Sequence, residues 1–91
     1  MPNMDVTNAF LDGTLGALEY AEGKHDGFPT DRIHASAILN EEAGKLTQAC
    51  IDAEYGKLSP EEAQAKMEKF VFRVGAMTLR FYSSLPAKPG E

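Results

Sequence analysis

The stretch "LSPEEAQAKMEKFVFRVGAMTLRFYSSL" (residues 58–85) decides the fold. Ser59 stands where an N-cap hydroxyl is wanted, Pro60 at the first helical position and Glu62 at the reciprocal capping-box position. From there a single helix is expected to run until Pro86. At 100° per residue, Ala63, Met67, Phe70, Val71, Val74, Met77, Phe81 and Leu85 form one strong apolar stripe. A narrower stripe of Phe72, Ala76 and Leu79 lies almost opposite. A helix apolar on two sides is sandwiched, and three helices leave little to cover both sides, so a second subunit is the expected cover. Between the stripes runs a basic edge of Lys66, Lys69, Arg73 and Arg80, either a solvated flank or a contact for phosphate or an acidic partner.

Two further helices precede it. The upstream segment from Thr30 or Asp31, either able to cap, should continue to Tyr55 and stop at Gly56. Its apolar arc holds Ala35, Ile38, Leu39, Ala43, Leu46, Ala49, Cys50 and Ala53, with Cys50 as a small core residue. A first helix over about Val6–Glu22 places Phe10, Leu11, Leu15, Leu18 and Ala21 near one face, weakened by Gly13 and Gly16. "EGKHDGFP" (22–29) ends it. No segment reads as a strand, so the expected class is all-α: residues 1–85 as a single helical domain and 86–91 as a flexible tail.

Composition bounds the function. Ninety-one residues make one modest domain that oligomerisation would help to stabilise. Apolar residues are 43% and charged residues 25%, a balance typical of a folded soluble chain. A net charge of −5 argues against a general nucleic-acid binder, because no cationic excess offsets phosphate repulsion. One cysteine excludes an intrachain disulfide and a Cys-based zinc site, and fits a reducing compartment. The N-terminal stretch carries no basic leader, and no apolar run is long enough to span a bilayer, so a cytoplasmic location is expected.

Chemistry concentrates in "LNEEAGKL" (39–46). Glu42 falls inside the apolar arc, beside Ile38, Leu46 and Ala49. A carboxylate there is costly unless a metal, a cation or strong donors satisfy it. The bland alternative tilts Glu42 to the arc's edge against a basic residue. Glu41, Lys45, Gln48 and Asp52 form a polar strip that His34 extends, and Glu41–Lys45 has the favourable i, i+4 order of a surface pair. His25 and His34 lack partners at ligand spacing.

The second-helix stretch "AILNEEAGKLTQACIDAEYG", followed by "MEKFVFRVGAMTLRFYSSL", resembles the MazG-like all-α nucleotide pyrophosphohydrolases over roughly Ile33–Leu85. That resemblance implies an antiparallel three-helix unit completing a helical bundle as a dimer or tetramer. It also implies Mg²⁺-dependent cleavage of nucleoside triphosphates to monophosphate and pyrophosphate. The family's EExxE motif, with ExxD or ExxQ on a facing helix, gathers the hard oxygen donors that Mg²⁺ needs.

Carried over residue by residue, Glu41 and Glu42 take the first two EExxE positions, and Lys45 stands at the third. In one register of the third helix, Phe70 replaces the glutamate and Arg73 the last polar position. In the other, Glu68 keeps the glutamate and Val71 replaces the aspartate. Two replacements bring positive charge to the metal position, and Lys45 beside a divalent ion would be repelled or lose its proton. Glu41 and Glu42 are therefore expected to be a residual metal site with no working cofactor, Mg²⁺ belonging only to a still-active variant.

The expected function is a scaffold without catalysis. Its former site face, whether altered naturally or by engineering, would use Lys45, Phe70 and Arg73 to bind a protein partner or an anionic ligand. A second reading keeps an altered pyrophosphohydrolase, in which Glu41, Glu42, Glu68 and an Asp52 supplied by a partner subunit hold a metal and Lys45 and Arg73 grip the phosphates of a nucleotide. A third is a purely structural oligomer.

Overall fold

The computed structural model describes residues 3–24, 27–29 and 31–85. The expected tail (86–91), Thr30 and His25 lie outside the described residues. Three helices account for the fold: α1 (Met4–Lys24), α2 (Arg32–Glu54) and α3 (Pro60–Ser84). No strand occurs among the described residues. The chain is all-α.

Local chemistry explains each boundary. Asn3 starts α1 two residues earlier than the periodicity suggests: its side-chain oxygen accepts from the Val6 amide at 2.9 Å. Asp31 caps α2, accepting from Ile33 N–H. At the other end of α2, Gly56 adopts φ +72°. Its amide donates to the Ala53 carbonyl, and Lys57 N–H donates to the Asp52 carbonyl at 2.9 Å. Those two bonds make a Schellman stop, which glycine fills at no steric cost. The capping box of α3 closes in both directions, Glu62 N–H to Ser59 Oγ at 3.1 Å and Ser59 N–H to Glu62 Oε1 at 3.2 Å.

Helix α3 is the centre of the molecule. Both α1 and α2 pack on it, while among the described residues no Cα of α1 comes within 8 Å of one in α2. Ala21, Ala76 and Met77 form the buried nucleus, with Ala17, Leu18, Phe28, Ile38 and Leu39 against it. Buried positions are mostly alanines, and no large side chain is wholly buried among the described residues.

Packing corrects several expectations. Phe72 and Ala76, expected beneath a second subunit, pack against α1 of the same chain, while Leu79 of the same stripe is 40% exposed. The Phe72 ring fills the space where Gly13 lacks a side chain, and Phe10 and Thr14 press close to Gly75. This close crossing rotates α1: Thr14 and Ala21 are buried, whereas Leu11 and Leu15, expected to face inward, are 49% and 50% exposed. Periodicity alone favoured the larger leucines, but two facing glycines let small residues take the contact. Cys50, expected in the core, is exposed, because Ala49 occupies the buried position of that turn. Leu85 leaves its stripe as the exposed C-cap of α3. Arg80, placed on an edge read as either a solvated flank or a contact for phosphate or an acidic partner, is buried.

Candidate functional site

A pocket of about 450 Å³ opens where the three helices and the α1–α2 connection converge. Helix α2 contributes Ile38, Glu41, Glu42 and Lys45; α3 contributes Arg73, Met77 and Arg80; α1 contributes Tyr20 and Lys24; and Gly27–Pro29 forms the far wall. Four cationic side chains and two carboxylates therefore face one cavity.

Each charge is held differently. Lys45 Nζ lies 3.5 Å from Glu42 Oε1 and 3.6 Å from Glu41 Oε1. One ammonium thus bridges both glutamates, as i, i+3 and i, i+4 spacing allows. The Glu41 side chain is 67% exposed and that of Glu42 only 17%. Glu42 Oε2 is buried with no hydrogen-bond partner among the described residues. Arg80 Nη2 donates to the Gly27 carbonyl at 2.6 Å, and its guanidinium lies 5.0 Å from the Phe28 ring centre. Arg80 is thereby the brace of the connecting wall. Lys24 Nζ donates to the Tyr20 hydroxyl at 3.2 Å, which holds that phenol below its usual pKa, with Lys24's charge and lesser pulls from Arg73 and Lys69 adding to the effect.

Arg73 differs from the others. Its guanidinium carbon sits 5.8 Å from the Tyr20 ring centre and 5.7 Å from that of Phe70. Among the described residues it makes no ion pair. Aromatic rings on two sides orient a guanidinium without neutralising it.

Of the residues singled out by sequence, Glu41, Glu42, Lys45 and Arg73 come together in this pocket. Phe70 does not line it but backs Arg73, with Lys69 also 5.5 Å from its ring centre. Asp52 and Glu68 stay away: each accepts from a glutamine one turn back, Gln48 and Gln64, at 2.9 Å. Tyr20, Lys24 and Phe28 were not anticipated as site residues, and Arg80 was placed only on the basic edge of α3 without a partner. The i, i+4 spacing of Tyr20 and Lys24 was a legible signal; the Arg80–Gly27 bond spans 53 residues and had none.

Octahedral Mg²⁺ needs several hard oxygen donors. Among the described residues no group of three or more His, Cys, Asp or Glu side chains could hold a metal, and the two pocket glutamates already share an ammonium. Among the described residues, the two pocket glutamates alone fall short of that donor set. No helix among the described residues is long and apolar enough to cross a membrane. Comparison with protein-family models, curated proteins and solved structures gives no match.

Proposed function

We propose that this chain is a MazG-like antiparallel helical unit without Mg²⁺-dependent pyrophosphohydrolase chemistry. It completes its bundle with further copies of itself and binds a small anionic ligand in the pocket between its helices. The observation that carries this reading is Arg73, a guanidinium oriented by Tyr20 and Phe70 at a concave wall and in no ion pair among the described residues. A pocket of this size suits a small molecule, and concavity favours such a ligand over a protein surface. Lys45 takes the place of a cation beside the two glutamates, and Lys24 and Arg73 are the groups that meet the anion. The altered-enzyme reading needs Asp52 and Glu68 at the metal, and both are engaged along their own helices.

Calorimetric titration with inorganic pyrophosphate, in the presence of a chelator, tests the ligand. Binding is expected without metal. Arg73→Gln should weaken it by roughly tenfold or more, the loss of a charge-assisted contact. Incubation with a panel of ribo- and deoxynucleoside triphosphates plus Mg²⁺ or Mn²⁺ should release no pyrophosphate. Metal-dependent release would restore the enzyme reading, and no binding of pyrophosphate or any of the triphosphates would overturn the anion pocket.

A further inference from the structure

The pocket is lined by more than charge. Ala21 and Met77, which belong to the buried nucleus, face it, and so do Ala17, Phe28 and Ile38, which pack against that nucleus. The cavity therefore opens directly onto the hydrophobic core. Ala17 and Ala21 come from α1, Ile38 from α2 and Met77 from α3. Both α1 and α2 sit on α3, yet among the described residues no Cα of α1 lies within 8 Å of one in α2. An apolar group placed in this gap would touch both helices and continue the core between them. Its transfer from water is favourable in proportion to the apolar surface it covers. Pyrophosphate, polar throughout, would use the cationic side of the cavity and leave this floor unused.

The charges say what head such a group carries. Lys45 is held by Glu42 and Glu41, at 3.5 and 3.6 Å, and Arg80 by the Gly27 carbonyl. Arg73 makes no ion pair among the described residues, and the Tyr20 and Phe70 rings flank its guanidinium. Four cations against two carboxylates leave the lining two positive charges in excess. A head with one negative charge meets that excess with less repulsion from Glu41 and Glu42 than a polyanion in the same cavity. A planar carboxylate also matches the guanidinium fork, which can donate to it in two parallel hydrogen bonds.

We infer that the anion this pocket takes is an organic monocarboxylate with an apolar body. Its carboxylate rests on Arg73 with Lys24 nearby, and its body lies on the floor of Ala17, Ala21, Ile38 and Met77. This rests on the anion-binding reading proposed above and names the ligand class for the same site. A cavity of about 450 Å³ suits a small molecule with a single ring or a short branched chain.

Calorimetric titration of the full chain with acetate, hydrocinnamate and pyrophosphate tests it. Acetate and hydrocinnamate share one head and differ only in the body. Hydrocinnamate is expected to bind at least tenfold more tightly than acetate. Arg73→Gln should weaken hydrocinnamate by tenfold or more, and Arg73→Lys should recover part of that loss because the charge remains. The comparison of the two carboxylates uses the unaltered chain, so it stands even where a variant fails to fold. Pyrophosphate that binds while hydrocinnamate binds no better than acetate overturns the apolar body and leaves the anion pocket in place. Hydrocinnamate affinity that ignores Arg73→Gln in folded protein overturns the placement of its head. Binding of neither pyrophosphate nor either carboxylate overturns this inference and the anion-binding reading together.

Discussion

The Lys45 ammonium lies 3.5 Å from one oxygen of Glu42, while the other oxygen of that carboxylate is buried without a partner. Glu42 is thus half satisfied, and its burial is tolerated because Lys45 stands beside it. Lys45→Met removes that support and should lower stability by about 1 kcal/mol, a fall in Tm of roughly 4–8 °C. Glu42→Met removes the orphaned oxygen as well, and should leave Tm unchanged or raise it. The double variant should resemble Glu42→Met, a non-additivity that thermal unfolding reads directly. A large loss from Glu42→Met would mean that its buried oxygen has a partner after all.

Arg80 ties the C-terminal part of α3 to the backbone of Gly27. Arg80→Met leaves that carbonyl without its charged donor and exposes the face of Phe28. A loss of about 1.5–3 kcal/mol in urea unfolding is expected, together with weaker pyrophosphate binding, because the 27–29 wall of the pocket loses its anchor. Arg80→Lys should not rescue fully, since a point ammonium lacks the planar face that stacks on Phe28.

Two glycines of α1 make opposite predictions. A Cβ at Gly13 would meet the Phe72 ring at 2.5 Å, whereas one at Gly16 would meet nothing within 4 Å. Gly13→Ala should therefore destabilise by about 1–3 kcal/mol, through forced displacement of the ring. Gly16→Ala should stabilise by up to about 1 kcal/mol, since alanine costs less helix entropy. Equal shifts in Tm for the two variants would contradict the close crossing of α1 and α3.

What the sequence made legible was mostly local. Ser59, Pro60 and Glu62 announced α3, and Gly56 announced the end of α2, because caps and stops are written within a few residues. The pairing of Lys45 with Glu41 was legible for the same reason, and so was the partial burial of Glu42. The rotation of α1 was not. Hydrophobicity ranks Leu11 and Leu15 above Thr14 and Ala17, but the choice of face depends on Gly75 and Phe72, some sixty positions away. Arg80 hid at the end of a row of cations along one edge of α3, and nothing near it in sequence marks it, rather than Lys66 or Lys69, as the buried one. Phe70 was read as a binding residue, and its ring stands outside the pocket lining, flanking the Arg73 guanidinium as Tyr20 does.

Because both α1 and α2 pack on α3 while, among the described residues, no Cα of α1 comes within 8 Å of one in α2, the two helices made first find most of their packing only once α3 exists. During synthesis the fifty-odd residues ahead of α3 emerge as separate amphipathic segments with little apolar surface to bury on each other. Folding is therefore gated by the C-terminal helix, and a chain cut short before α3 should remain largely unstructured, since short isolated helices are marginal in water. A ribosome stalled near Leu58 would hold a nascent chain open to chaperones and proteases, and one released past Leu85 would not.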